Sequence, residues 1–112
     1  MRLSRIVETL GLDTLVPIEA DVEITGGCVS DLLSHVLASA APGNLWITIQ
    51  HHANVVAVAQ VAGIPAILIA HGKRPNDEVL EQARSAGVTL LGATESSFEL
   101  AGRLHEILVA ER

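Results

Sequence analysis

The sequence predicts an α/β fold with a mixed but mostly parallel sheet covered by helices on both faces. From residue 44 onward, short apolar segments that fit strands alternate with segments that fit helices, the pattern of βαβ crossovers. Two of these strand segments, residues 44–49 and 65–70, are apolar almost throughout, as strands covered on both faces are. Hydrophobic residues make up 49% of the chain but aromatic residues only 2%, which also favours such a sheet.

The beginning of the chain predicts a short helix and an edge strand. Apolar side chains recur at helical spacing from Leu3 to Leu10, and Gly11 follows where a left-handed residue commonly ends a helix. Residues 14–18 are mostly β-branched or apolar, which favours a strand. Pro17 has no N–H group to donate, so this strand is expected at an edge of the sheet.

A second strand and a helix are predicted on either side of a Gly-Gly pair. Residues 21–25 alternate polar and apolar side chains, which indicates a half-exposed strand. Gly26 and Gly27 are expected to break it before a helix over residues 28–41, whose apolar side chains form one stripe. Such a turn could present backbone N–H groups to an anion, or it could serve only as a tight connection that needs glycine.

The rest of the chain predicts three strands that alternate with three further helices. The helix over residues 54–62 has almost no polar face, so it is expected to be buried on more than one side. The last helix begins with Ser96 and Glu99 at capping-box spacing and is expected to bury Phe98. In chain order the predicted elements are strand 44–49, helix 54–62, strand 65–70, helix 76–86, strand 88–91 and helix 96–110.

Length, charge and cysteine content restrict the class of protein. Residues 1–112 have the length of one domain. A net charge of −6 with scattered basic residues argues against nucleic-acid binding, which needs clustered Lys and Arg. The single cysteine, Cys28, excludes an internal disulfide. No apolar run reaches the ~18 residues of a membrane span and the start of the chain is unlike a signal peptide, so we expect a cytoplasmic protein.

Polar residues gather where the predicted strands end. In an open α/β sheet, ligands bind beyond the carboxyl ends of the strands. The segments after these ends hold most of the polar residues outside helices, including three of the five histidines. The candidate ligand-binding residues are Thr25, Gly26, Gly27, Ser30, Asp31, Gln50, His52, Asn54, His71 and Lys73.

Each of these candidates also has a purely structural interpretation. Ser30 and Asp31 can cap the first turn of a helix, and Asn54 can cap the next one. Lys73 can be a solvated residue of a turn. For His52, a ligand contact and a local hydrogen bond are both open.

The residues do not assemble a recognisable catalytic or metal site. Asp31 with three histidines could hold a metal, but the adjacent His51 and His52 are expected to point to opposite sides of an extended segment. Cys28 is predicted near a helix N-terminus, which would lower its pKa, yet no neighbour makes it a nucleophile and packing is favoured. We therefore expect no metal, no cofactor and no catalytic residue.

The joint pattern of three segments resembles the stand-alone DRTGG domain family. These segments are ITGG at 24–27 with VSDLL at 29–33, GNLWITIQ at 43–50 with His52 and Asn54, and SFELAGRL at 97–104. Glu23 and Ile24 stand where the family motif has Asp and Arg, whereas the Thr-Gly-Gly part is kept. The matching positions that could belong to a site are Thr25, Gly26, Gly27, Ser30, Asp31, Gln50, His52 and Asn54.

The resemblance implies a three-layer α/β/α fold similar to the N-terminal domain of HPr kinase/phosphatase. The catalytic part of that enzyme is a separate domain, which this sequence does not contain. Relatives serve as regulatory or dimerising modules, for example between the nucleotide-binding CBS domains of pyrophosphatases. Short members tend to be encoded near the genes of iron-only hydrogenase and other redox proteins, which implies a redox or hydrogenase-associated partner.

Three functions follow as hypotheses. The first is a non-enzymatic regulatory domain, a homodimer with a pocket for a small anion or a nucleotide at the carboxyl rim of the sheet. The second is a pure interaction module without a small ligand, with helix 54–62 or its neighbours as the interface. The third is an enzyme that acts on a phosphate ester with His52 and Asp31 as acid and base.

Overall fold

Five helices and five strands make up the computed structural model, which describes residues 1–112. In chain order they are α1 (Leu3–Leu10), β1 (Asp13–Val16), β2 (Gly26–Val29), α2 (Leu33–Ser39), β3 (Asn44–Thr48), α3 (Asn54–Ala62), β4 (Ala66–Ile69), α4 (Asp77–Ala86), β5 (Thr89–Gly92) and α5 (Ser97–Ala110). Every predicted element from residue 44 onward is confirmed within about one residue, because each has a strong local pattern and a Gly or Pro beside it.

All five strands belong to one sheet with the order β1-β5-β4-β3-β2. The four strands β2 to β5 are parallel to one another, whereas β1 pairs antiparallel with β5. The mixed, mostly parallel sheet is therefore confirmed. β1 is an edge strand as its proline predicted: Pro17 follows its last residue, and its register shifts between Thr14 and Val16.

Helices cover both faces of the sheet and make three layers. The core on one face combines α1 and α5, whereas the core on the other combines α2, α3 and α4. Successive side chains of β3 point alternately into the two cores: Leu45 and Ile47 into the first, Trp46 into the second. Trp46 is fully buried, and its indole Nε1 donates a hydrogen bond to the Ser30 carbonyl at 2.9 Å. The α/β/α architecture is thus confirmed.

The strand predicted at residues 21–25 is wrong, because β2 is formed by the Gly-Gly segment that was expected to break it. Gly26 pairs with Asn44 and Val29 with Ile47 along β3. Neither Gly26 nor Gly27 has a positive φ, so no turn requires these glycines. A Cβ atom on Gly27 would lie 3.1 Å from Leu104 Cδ2, which shows that glycine lets α5 approach the strand closely.

Residues 21–25 instead contact the first residues of the chain. The Met1 ammonium lies 2.7 Å from Glu23 Oε2 and 3.8 Å from Glu111 Oε1, so both chain ends meet here. Hydrogen bonding to this ammonium lowers the pKa of the Glu23 carboxyl. The Ile24 amide donates to the Met1 carbonyl at 2.9 Å, and Arg2 forms a single β-bridge with Glu23. These contacts provide hydrogen-bond partners for residues 21–25, which lie outside the main sheet.

The helix predicted over residues 28–41 is shorter than expected. Cys28 and Val29 belong to β2, and α2 begins only at Leu33. Its N-cap position is Leu32, which makes no side-chain cap, so the capping role predicted for Ser30 and Asp31 is wrong.

Helices α4 and α5 begin with side-chain caps, which confirms the cap predicted at Ser96, whereas the cap predicted at Asn54 is wrong. Asn76 Oδ1 accepts from the Val79 amide at 3.0 Å, and Ser96 Oγ accepts from the Glu99 amide at 3.1 Å. Asn54 caps nothing, because α3 has Ala53 at its N-cap position and no side chain bonded there.

Two burial predictions are also wrong. The helix α3 buries one face only, and Val61 on its other face is 79% exposed. Phe98 is 88% exposed, since Leu100, Leu104 and Leu108 form the buried face of α5. The apolar excess of the sequence therefore lies partly on the surface.

We predict that Gly27→Val lowers the free energy of unfolding by about 1–3 kcal/mol, because the new side chain overlaps Leu104. Leu104→Ala alone should cost about 2–5 kcal/mol through loss of buried volume. The double variant should lose less stability than the sum of the two single losses, because alanine at position 104 leaves room for valine at position 27. Chemical denaturation of the four proteins measures this, and strict additivity would contradict the close contact.

Candidate functional site

Asp31 is the centre of a hydrogen-bond network at the carboxyl end of the sheet. Its Oδ1 atom accepts from Thr48 Oγ1 and from the Ile49 amide, both at 2.9 Å. Gln50 Nε2 donates to the Asp31 carbonyl at 3.2 Å, and the Gln50 amide donates to Thr48 Oγ1 at 3.1 Å. These bonds join the segment after β2 to the end of β3, so Asp31 and Gln50 have a structural role at this edge of the sheet.

Ser30 has a structural role in the same turn. Its Oγ accepts from the Leu32 amide at 3.1 Å, and its carbonyl accepts from Trp46. The Ser30 amide donates to the Ile47 carbonyl at 3.2 Å, so its hydroxyl, carbonyl and amide are all bonded within the chain.

The paired histidines lie side by side at the same rim. The rings of His51 and His52 stack with centroids 4.9 Å apart and an interplanar angle of 25°, so the prediction that they point to opposite sides is wrong. His51 Nδ1 lies 3.1 Å from the Ile49 carbonyl and donates to it in the Nδ1–H tautomer. His52 and Asn54 are exposed, and their side chains make no hydrogen bond within the chain, although the His52 carbonyl accepts from the Val55 amide at 3.1 Å.

His71 and Lys73 follow β4 and lie near the start of α5. His71 adopts a left-handed backbone with φ of 60°, and its Nε2 accepts from the Ser97 amide at 3.4 Å. The Lys73 side chain is exposed without a partner, whereas the adjacent Arg74 donates to Asp13 at 2.7 Å. Arg74 thus fastens the edge strand β1, and only Lys73 keeps a free cation at this rim.

Thr25, Gly26 and Gly27 lie at the opposite end of the sheet from the other seven candidates. The strand β2 runs parallel to β3 with Gly26 beside Asn44, the first residue of β3. The Thr25 amide donates to the Gly43 carbonyl at 2.9 Å, just before that strand. The prediction of one rim that unites all ten residues is therefore wrong for these three, because the Gly-Gly pair starts β2 instead of ending a strand.

The largest cavity of the structure lies between β2 and α5 and has a volume of about 240 Å³. We call it the β2–α5 cleft. A second hollow of about 180 Å³ adjoins it and shares Leu108 and Arg112. None of the three cavities present is lined by the seven candidates of the carboxyl rim. The cleft is lined by Gly26, Gly27, Val29, Ile47, Ala101, Leu104, His105, Leu108 and Arg112.

The lining of the cleft is mostly apolar, with one basic side chain from α5 and one from the residues that follow it. Gly26 and Gly27 leave it open because they have no side chains, and Ile47 adds an apolar surface. His105 and Arg112 provide its two basic side chains. The sequence analysis did not single out either residue, although Ala101 and His105 at i, i+4 spacing place a small and a polar residue on one helix face.

Cys28 is less reactive than its predicted position suggested. It lies in β2 opposite Trp46 and away from any helix N-terminus. Burial raises the pKa of the Cys28 thiol, so the prediction of a lowered value is wrong, while packing against the second core is confirmed.

Neither a metal site nor a membrane segment is present. No group of three or more His, Cys, Asp and Glu side chains is arranged to hold a metal ion. None of the five helices combines the length and the apolar character needed to cross a bilayer.

Comparison with known proteins supports the fold. No family model matches the chain, and no curated protein is significantly similar. Among solved structures, the CBS and DRTGG domains of the regulatory region of Clostridium perfringens pyrophosphatase, complexed with the activator diadenosine tetraphosphate, match with a TM-score of 0.69. The chain has a DRTGG-like fold. This match has 17% sequence identity and covers 89% of this chain but 44% of the pyrophosphatase fragment, so the present chain spans less than half of it.

We predict that Asp31→Ala destabilises the protein by about 1 kcal/mol, because Thr48 Oγ1 and the Ile49 amide lose their acceptor. His52→Ala should change stability by less than about 0.5 kcal/mol, since His52 is exposed and unbonded. Urea unfolding compares the two variants. Equal effects would contradict the structural role of Asp31.

We also predict that a disulfide reagent modifies Cys28 more slowly in the folded protein than after unfolding at the same near-neutral pH. The raised pKa of the thiol leaves less thiolate to react. The reaction is followed by the absorbance of the coloured thiol that the reagent releases. A folded-state rate equal to or above the unfolded rate would show an activated cysteine instead.

Proposed function

We propose that this domain is a non-enzymatic regulatory module that binds a nucleotide or another small anion in the β2–α5 cleft. The cleft itself carries the proposal, because it is the largest cavity and combines apolar surface with His105 and Arg112. The structural likeness to a regulatory region that was solved with a nucleotide activator supports the same function. Residues Thr25, Gly26 and Gly27 of the predicted site line the cleft or the hollow beside it.

The size of the cleft limits its ligand. Ligand pockets typically have about 300–1,000 Å³, and the cleft with its adjoining hollow reaches only the lower part of that range. An adenine ring fits the apolar surface of Val29, Ile47 and Ala101. A phosphate group fits the basic end formed by His105 and Arg112. We therefore favour a mononucleotide or one half of a dinucleotide over a larger ligand.

The carboxyl rim is the second candidate location. The side chains of His52, Asn54 and Lys73 are exposed there and make no hydrogen bond within the chain, so their polar groups are available to a ligand. The rim has no cavity, however, and Asp31, Ser30 and Gln50 already form internal hydrogen bonds. We consequently propose the cleft as the ligand site and use substitutions at the carboxyl rim as the control in the binding experiments.

A catalytic function has less support. An acid–base pair of His52 and Asp31 needs a carboxylate that is free to act on substrate. The Asp31 carboxylate accepts two hydrogen bonds from β3 and its following residue, and the thiol pKa of Cys28 is raised. We therefore propose regulation instead of catalysis.

An interaction function is compatible with ligand binding, and we include a homodimer in the proposal. Seven large apolar side chains are exposed, more than ligand binding in one cleft explains. The single-domain assignment of residues 1–112, a cytoplasmic location and a redox-enzyme partner are further proposals that rest on the sequence alone.

We predict that ATP, AMP or diadenosine tetraphosphate raises the melting temperature of the protein, because a ligand that binds only the folded state stabilises it. His105→Ala should weaken binding by about tenfold through loss of a hydrogen bond to the ligand. Arg112→Ala should act in the same direction, and His52→Ala at the rim is the matched control. Isothermal titration calorimetry measures the affinities.

The outcomes separate the two locations. Loss of binding in His52→Ala with normal binding in His105→Ala would move the ligand to the rim. No stabilisation by any of the three nucleotides or by inorganic phosphate would contradict the ligand-binding function.

A further inference from the structure

The strand β2 has an open edge with unpaired backbone groups. No strand lies on its outer side, because β2 is the last strand of the sheet and pairs only with β3. An edge strand presents N–H and C=O groups that nothing within the sheet satisfies. The other edge is protected, since β1 contains Asp13, has a register shift and is followed by Pro17. β2 has neither a charged residue nor a proline, so its outer backbone groups are accessible.

The register of β2 identifies the residues that present these groups. Val29 pairs with Ile47, and the amide of the next residue, Ser30, donates to the Ile47 carbonyl at 3.2 Å. Alternate residues of a strand in a parallel pair bond to the neighbour, so the backbone of Cys28 also faces β3. The N–H and C=O groups of Gly27 and Val29 therefore face the open side. Exposure agrees with this assignment, because Gly27 and Val29 are exposed whereas Cys28 between them is half-buried.

The same two residues line the β2–α5 cleft. The Gly27 carbonyl and the Val29 amide follow one another along the open edge, so they form an acceptor beside a donor. Gly27 has no side chain, which permits a flat ligand to approach this backbone closely. Among the side chains that line the cleft, only those of His105 and Arg112 have polar groups. The backbone of β2 is therefore the part of the cleft that can recognise the polar edge of an otherwise apolar ring.

The basic end of the cleft lies at the start of β2. Arg112 lines both the cleft and the adjoining hollow, and the hollow is also lined by Ile24 and Thr25, which directly precede β2. Along the strand, Gly27 is consequently nearer to the basic end than Val29 is. A ligand whose anionic group binds Arg112 therefore reaches the Gly27 carbonyl before it reaches the Val29 amide.

Adenine matches this order of groups, whereas guanine does not. The Watson–Crick edge of adenine has a donor, the N6 amino group, beside an acceptor, N1. When N6 donates to the Gly27 carbonyl and N1 accepts from the Val29 amide, the ribose lies on the Gly27 side and directs its phosphate to Arg112. Guanine has an acceptor, O6, beside a donor, N1–H. It must turn over to form the same two bonds, and its ribose and phosphate then point away from the basic end.

We propose that the β2–α5 cleft selects adenine nucleotides, with the base hydrogen-bonded to the Gly27 carbonyl and the Val29 amide at the open edge of β2. The inference rests on the nucleotide binding of the proposed function, and it specifies which base binds and which groups recognise it. A cleft that supplied only apolar surface and positive charge would bind adenine and guanine nucleotides about equally, since every base has an apolar face. A base that leaves the two backbone groups unpaired binds more weakly.

The first experiment measures base selectivity with the unmodified protein. Isothermal titration calorimetry compares AMP with GMP and IMP, whose O6 and N1–H groups reverse the donor and the acceptor. AMP should bind about tenfold more tightly than either, or better. Two analogues each remove one of the proposed hydrogen bonds: 1-deaza-AMP lacks the N1 acceptor, and purine riboside monophosphate lacks the N6 donor. Each should bind about tenfold more weakly than AMP.

A substitution in β2 tests which group recognises the base. Val29→Pro removes the outward N–H, a change that an edge strand accommodates, and it should abolish the difference in affinity between AMP and 1-deaza-AMP. Val29→Ala is the matched control, because it keeps the amide and should keep that difference. Circular dichroism verifies that both variants are folded. The nucleotide series needs only the parent protein, so it tests the inference even if Val29→Pro does not fold.

The results separate the selectivity for adenine from nucleotide binding itself. Equal affinities for AMP, GMP and IMP, or tighter binding of GMP, overturn the selectivity but leave nucleotide binding in the cleft intact. A difference between AMP and 1-deaza-AMP that persists in folded Val29→Pro overturns recognition by the β2 edge. Failure of every nucleotide to bind overturns both this inference and the proposed function.

Discussion

The close approach of α5 to β2 determines the architecture of this edge of the molecule. The approach is close enough that a Cβ atom at Gly27 would lie only 3.1 Å from Leu104 Cδ2. The approach buries Leu100, Leu104 and Leu108 against the sheet, yet leaves the cleft open next to Ala101 and His105. Glycine at position 27 thus leaves room for Leu104 beside the strand and contributes to the lining of the cleft.

The sequence predicted most of the fold because most elements have a local pattern. β3, α3, β4, α4, β5 and α5 show clear periodicity, and Gly or Pro separates them. β2 could not be found in this way, since glycine locally disfavours a strand. Its conformation is stabilised by β3 and by a helix that begins at Ser97, contacts that no short window of sequence contains. The same error displaced the predicted start of α2.

The candidate site was predicted less well than the fold, for a related physical reason. The sequence shows which residues are polar but not which hydrogen bonds they already make. Asp31 is a polar residue in a position typical of ligand binding. Its carboxylate, however, accepts hydrogen bonds from the end of β3 and thereby links the ends of two strands. The cleft combines glycines near the start of the chain with His105 and Arg112 near its end, so only the folded chain shows it.

The meeting of Met1 with Glu111 has a consequence for protein architecture. A fold whose two ends emerge side by side can be inserted into a loop of a host protein without stretching either connection. A preceding residue would replace the charged amine by a peptide bond, and the ion pair with Glu23 would be lost. The same proximity allows a circular permutant in which a short linker joins the ends and new termini open elsewhere, for example between α3 and β4.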